Sequence, residues 1–318
     1  MYKPYGVIPP IITPFDENGG VDYAALAKMA VHLVDNGVHG LFPLGTTGEF
    51  YAINDEQFIK ILETVRDAVA GRTDRYGKPI QLLAGCSHIT TREVCRLIKL
   101  VEQVGGYDAV SVLTPMFVSQ TQDELYNYYK TIADSTAMPV IMYNNKPKTN
   151  VTIAPATAAR LAADCPNIIG VKDSTGDMTN TEEYLRLTSP YRDHFNVMMG
   201  RDTLIYAGLH YGCSGAVASC ANVAPRVVAD IYDKYMDGDW NGALEAQYRL
   251  APLRIACSMG TFPEVIKEGL TLQGIPVGKC LDPIGELTPA EKDKLRQVLV
   301  DMKLIWGGNE DEKLSCYH

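Results

Sequence analysis

The chain has 318 residues, 46% of them hydrophobic, and carries a net charge of −9 with a pI of about 5.2. That length suits one large α/β barrel or two ordinary domains, and the acid excess argues against a nucleic-acid surface, which needs clustered Lys and Arg. No apolar run approaches the roughly 18–20 residues of a membrane span, and MYKPYGVIPPIITPF at the N-terminus lacks the basic and apolar regions of a signal peptide, so a soluble, cytoplasmic protein with no membrane partner is expected.

Short apolar runs alternate with amphipathic stretches along the chain. GVIPPIITPF (6–15) precedes a helical stretch near 22–36, and GLFPLG (40–45) precedes one near 54–70. In the latter, Phe58, Ile61, Leu62, Val65 and Val69 form an i, i+3, i+4 stripe, with Asn54 as N-cap. PIQLLAG (79–85) is followed by a helix near 91–105, and AVSVLTP (109–115) by one near 121–134. PVIMYN (139–144) precedes 153–164, IIGVKD (168–173) precedes 179–187, FNVMMG (195–200) precedes 203–211, and GAVASC (215–220) precedes 224–236. Runs that are apolar throughout suit parallel strands covered on both faces, and eight β-then-α units predict an α/β fold, a (β/α)8 TIM barrel. A doubly wound sheet is the rival, but GxGxxG after the first strand is absent. GRTDRYGKP (71–79) misses the P-loop spacing and is read as an exposed loop.

Beyond residue 237 the strands stop. Helical stretches near 239–258, 262–272 and 288–304 predict a C-terminal helical appendage over 238–318, against a barrel of 1–237 that carries the active site. Thr288, Pro289 and Glu291 form a capping box at the start of the last helix. The tail GGNEDEKLSCYH is polar and expected to be loose. Eight scattered cysteines show no CxxC and no zinc spacing with the dispersed histidines. Most of them read as buried, reduced thiols, and neither a metal nor a cofactor is expected.

Functional groups of such a barrel sit at the C-terminal ends of its strands. IIGVKDSTGD (168–177) reads as a buried strand that ends on Lys172. Either this lysine reaches out of the strand end to solvent or a carboxylate, or its desolvated amine, with a lowered pKa, attacks a ketone to form a Schiff base. Tyr143, at the neighbouring strand end, is either a barrel-top aromatic or a proton shuttle for the substrate oxygen. Gly45-Thr46-Thr47-Gly48 is either an ordinary turn or one whose N–H groups and hydroxyls hold a carboxylate. Glu49 is placed to pin that loop.

GTTGE (45–49), YN (143–144), GVKDSTG (170–176) and GAVASCANVAP (215–225), in this order, resemble the dihydrodipicolinate synthase/N-acetylneuraminate lyase family over nearly the whole chain. The resemblance implies a metal-free class I aldolase. In it Lys172 forms a Schiff base with pyruvate or another 2-keto acid, Tyr143 is the general acid/base, and Thr46, Thr47 and Gly48 hold the keto-acid carboxylate. Its partners would be pyruvate and an aldehyde, in a homotetramer built from tight dimers. Two departures stand out. Phe117 occupies the place of a relay tyrosine in the loop after strand four, and Lys148, with Lys146 beside it, replaces an arginine that grips the aldehyde partner's carboxylate. Lysine keeps that charge without the bidentate fork. The departures favour a lyase acting on a 2-keto-3-deoxy sugar acid or a sialic-acid-like substrate, whose hydroxyls would meet Asp202, Thr203 and Ser219, with Thr203 in place of the usual acid; Ser174 is also placed in the substrate-binding set. A dihydrodipicolinate synthase condensing pyruvate with aspartate semialdehyde, a keto-acid dehydratase and a non-catalytic keto-acid sensor are the alternatives.

Overall fold

A computed structural model describes residues 2–306. The tail 307–318, Cys316 included, lies outside the described residues. The eight strands are β1 (Gly6–Val7), β2 (Gly40–Leu41), β3 (Gln81–Gly85), β4 (Ala109–Leu113), β5 (Val140–Asn144), β6 (Ile168–Asp173), β7 (Asn196–Met199) and β8 (Gly215–Ala216). They pair in parallel in the order β1-β8-β7-β6-β5-β4-β3-β2. Backbone bonds from His39 N to Val7 O (2.8 Å) and from Phe42 N to Pro9 O (3.0 Å) bring β2 against the first segment and close the ring. A helix follows each strand, and the fold is a (β/α)8 barrel.

The apolar runs behave as fully covered strands. Every residue of β3, β4, β5 and β6 is buried. The run 6–15 contributes only two ladder residues because Pro9 and Pro10 have no N–H to donate. One residue from each β segment fills the barrel: Ile8, Phe42, Leu83, Ala109, Ile141, Ile169, Met198 and Val217. This plug is the floor on which the site stands.

The helix boundaries fall within one to three residues of those expected. Helix Asp55–Ala68 starts with a capping box between Asn54 and Gln57, and helix Pro289–Asp301 starts with the box of Thr288 and Glu291. The stretch after β5 that carries Lys146 and Lys148 forms a short helix, Lys146–Thr149, with Pro147 in its first turn. The segment 71–79 is a turn joined by an antiparallel bridge between Thr73 and Pro79.

The appendage consists of helices Trp240–Ala256, Glu264–Leu272 and Pro289–Asp301. Its seam with the barrel is electrostatic as well as apolar. Lys267 Nζ lies 2.7 Å from Glu49 Oε1, with the two side chains 1% and 0% exposed. Glu49 Oε2 accepts from Leu281 N at 3.1 Å, and Lys267 donates to Lys279 O at 3.0 Å. The acid that ends GTTGE thus ties the turn to the helical region.

Candidate active site

A register slip aims the lysine. Val140 pairs with Ile168, but Ile141 pairs with Gly170, so Ile169 is an extra residue on β6. Strand alternation restarts after such a bulge. Ile169 packs into the barrel plug, and Lys172, three residues on, also points inward. Its Nζ stands 5.2 Å from the centre of the Phe42 ring and 3.8 Å from that of Tyr143. Tyr143 and Lys172 are direct partners across the β5–β6 ladder. The next pair, Asn144 and Asp173, faces the other way. There Asp173 accepts from Asn144, the Thr175 N–H, Asn180 and Thr181 at 2.8–3.3 Å, which anchors the strand end.

Lys172 is 4% exposed and has no carboxylate partner among the described residues. Burial lowers its pKa below the ordinary lysine range, and the neighbouring phenol opposes this only in part. For Tyr143, burial alone would raise the pKa. The charge of Lys172 and the polar groups of Thr46 and Asn145 outweigh it and hold the phenol below its usual value. Asn145 Nδ2 donates to Tyr143 Oη at 2.8 Å. Thr46 Oγ1 is buried beside them without completing a hydrogen bond. The first proton of this pair therefore comes off more easily than from either group in water, which is what an amine nucleophile with an adjacent proton carrier requires.

Thr46 and Thr47 open a single 3₁₀ turn, Thr46–Gly48. Their own N–H groups meet no acceptor among the described residues, and both residues line a cavity of about 300 Å³. Gly48 does not reach the cavity. Its N–H closes the turn on Gly45 O at 3.0 Å, and a side chain at its Cα would meet Ile11 O at 2.9 Å. Gly48 shapes the turn by close packing and is not among the residues that line the cavity.

The same cavity gathers Lys148, Ser174, Asp202 and Ser219 with Lys172, Tyr143, Thr46 and Thr47. Asp202 is 2% exposed, and its carboxylate is already engaged. It accepts from Cys220 N at 2.7 Å and from Ser219 Oγ at 3.4 Å, and it lies 3.4 Å from Arg254 Nε. Thr203 lies off the cavity wall, as does Lys146. Phe117 points away altogether, 94% exposed at a positive φ of 75°. Asn145, Arg201, Arg254 and Phe262 also line the cavity, and sequence reasoning assigned them no role. Asn145 carries a local signal, since it follows the YN pair. Arg254 and Phe262 come from the helical appendage, so a site assigned to 1–237 lacks one wall. Nothing in a helical stretch reveals which residue will overhang a barrel.

A paired lysine and phenol above an apolar plug, beside free amides, is compatible with keto-acid imine chemistry, and the relatives of the chain decide its family. The dihydrodipicolinate synthetase family matches residues 3–302. The chain belongs to this family. It is 34% identical to the 4-hydroxy-tetrahydrodipicolinate synthase of Thermodesulfovibrio yellowstonii over 96% of its own length and 100% of the relative's. Dihydrodipicolinate synthase from Thermotoga maritima superposes with a TM-score of 0.90 at 30% identity, covering 96% of this chain and 100% of that one. A prophage protein of Escherichia coli K12 from the same family, solved in complex with pyruvate, superposes with a TM-score of 0.88 at 30% identity, covering 95% and 99%. Members of the family are pyruvate-dependent, Schiff-base-forming carbon–carbon lyases that use an aldehyde partner, and this chain is a lyase of that class. No described helix is long and apolar enough to cross a membrane.

Proposed function

We propose that the chain condenses pyruvate with aspartate semialdehyde, as the name of its relatives describes, with Lys172 as the nucleophile. The observation that carries this reading is the near full-length likeness to a 4-hydroxy-tetrahydrodipicolinate synthase at 34% identity. The sugar-acid reading favoured from the sequence has no such support. The pyruvate carboxylate sits on the Thr46 and Thr47 amides. The neutral Lys172 amine attacks the keto carbon, and Tyr143 supplies the proton with which the carbinolamine oxygen leaves as water. The imine then loses a C3 proton to the Tyr143 phenolate, which restores the phenol, and the enamine carbon attacks the aldehyde carbon. The new alkoxide takes a proton from Tyr143, and water hydrolyses the imine to free Lys172. Lys148, on the short helix after β5, lines the same cavity. We also propose a cytoplasmic homotetramer. The apolar Phe117 and Val118, 94% and 54% exposed in the single chain, favour burial in a subunit contact.

A second reading, cleavage of a 2-keto-3-deoxy sugar acid, is favoured by Phe117, which lacks the hydroxyl that would extend a relay beyond Thr46 and Tyr143. Steady-state assays separate the two. Pyruvate consumption that depends on aspartate semialdehyde supports the synthase. Pyruvate release from sugar acids, without turnover of the semialdehyde, would replace it with the lyase.

A further inference from the structure

The wall of the cavity beside β7 carries more positive charge than one small aldehyde partner explains. Arg201 follows β7, and Arg254 reaches in from helix Trp240–Ala256. The guanidinium of Arg201 has no hydrogen-bond or ion-pair partner among the described residues, and its Nε and stem carbons lie 3.6–3.8 Å from where a Cβ of Gly176 would be. The one acid at hand is Asp202. Its two oxygens are shared among Cys220 N, Ser219 and Arg254, so it offers Arg201 no pairing. Lys148 adds a third cation on the same cavity. Burial, followed by the like charge of Arg254, pushes the pKa of Arg201 down, and the nearby Asp202 carboxylate opposes this only in part.

We infer that Arg201 and Arg254 form an anion subsite for a carboxylate at the far end of the substrate carbon chain, so that the enzyme selects substrates with a second carboxylate over neutral ones. The position fits. The free amides of Thr46 and Thr47 take the keto-acid carboxylate at β2, which lies three strand places round the ring from β7. Lys172, on β6, adjoins the arginine end. A chain bound at both ends would cross the mouth of the barrel and pass the amine. Planar guanidiniums suit bidentate binding of a carboxylate, and an unpaired, half-buried guanidinium gains most from one.

The inference rests on imine formation at Lys172 and not on the identity of the aldehyde. Its test uses trapping instead of turnover. Wild-type protein is incubated with 2-oxoadipate or with 2-oxohexanoate, reduced with borohydride, and the adduct on the Lys172 peptide is weighed across a concentration series. Both probes have six carbons, and only the first ends in a carboxylate. The wild type should trap 2-oxoadipate at a concentration about tenfold or more below that for 2-oxohexanoate. Arg201→Gln should erase most of that preference. Pyruvate, which has no distal group, reports in the same samples whether the variant still folds and forms the imine. Arg254→Lys, which keeps a charge near Asp202, should weaken the preference by a smaller factor. Equal trapping of the two probes by the wild type would overturn the inference. So would a preference that survives Arg201→Gln and disappears in Lys148→Met, because the anion would then sit on the loop lysine. Failure to turn over aspartate semialdehyde, with the preference intact, would remove the proposed reaction and leave the subsite standing.

Discussion

Lys172 and Lys267 are both buried, 4% and 1% exposed, and each stands over an aromatic ring, yet their surroundings oppose one another. Lys267 is held 2.7 Å from the Glu49 carboxylate and donates to a backbone carbonyl. Its charge is matched, and the pair bolts the helical region to the turn at β2. Lys172 has a phenol in place of a carboxylate and an apolar plug beneath it. Burial without a counter-ion disfavours the ammonium and favours the amine that can attack a carbonyl. Burial does not by itself make a lysine reactive. The missing carboxylate does.

The largest expected effect comes from removing the unmatched amine. Lys172→Met should abolish the borohydride-trapped pyruvate adduct, and mass spectrometry of the digested protein reads this directly. The same variant should be more thermostable than the wild type at neutral pH. A lysine whose folded pKa lies below its unfolded value costs stability in full below the folded pKa, and the cost vanishes as pH rises through the unfolded value near 10.4. The gain in Tm should therefore fade at alkaline pH, whereas a gain that persisted there would show that packing, and not charge, had been relieved. In the wild type the rate of imine formation should rise with pH and level off below the range of a free lysine.

Tyr143→Phe leaves the amine and removes its proton carrier. Carbon–carbon bond formation should fall about 10²–10⁴-fold, while the adduct still accumulates on long incubation. Turnover within a few-fold of wild type would deny Tyr143 the role proposed for it.

At the matched lysine the loss should appear in stability. Lys267→Met strands the Glu49 carboxylate and should cost about 3–5 kcal/mol in denaturant unfolding. Adding Glu49→Leu should recover most of that, since an apolar pair of similar volume replaces a buried ion pair at little cost. If the double variant is no more stable than the single, the pair is not the source of the effect.

The smallest change tests the phenol's environment. Asn145→Leu removes a 2.8 Å hydrogen bond that favours the Tyr143 anion. The phenol pKa should rise, and the pH profile of turnover should shift to higher pH, by an amount in keeping with the roughly 0.5–1.5 kcal/mol of one hydrogen bond.

Much of this was legible in one dimension. Apolar runs without alternation, each followed by a helical stripe, specify parallel strands covered on both faces, so the barrel follows from local pattern alone. Lys172 and Tyr143 stood out because each interrupts or ends such a run, and Glu49 was placed as a pin without its partner being visible. The sequence motifs pointed to Thr46, Thr47, Tyr143 and Lys172, which the structure brings to one cavity, but not to its far wall. Arg201 looked like one more polar residue at a strand end, and Arg254 like one polar position on a helix.

Local periodicity along the chain carried the barrel and the strand ends that hold the amine and the phenol, and the motifs GTTGE, YN and GVKDSTG carried the family. How those groups face one another depends on contacts between distant parts of the chain. The slip at Ile169 turns Lys172 inward, the docking of the appendage brings Arg254 over the cavity, and the packing of Gly48 against Ile11 leaves the threonine amides free. Periodicity is a property of neighbours in the chain. Register slips and helix docking are settled by volume and charge between residues far apart in it, and no local pattern records them.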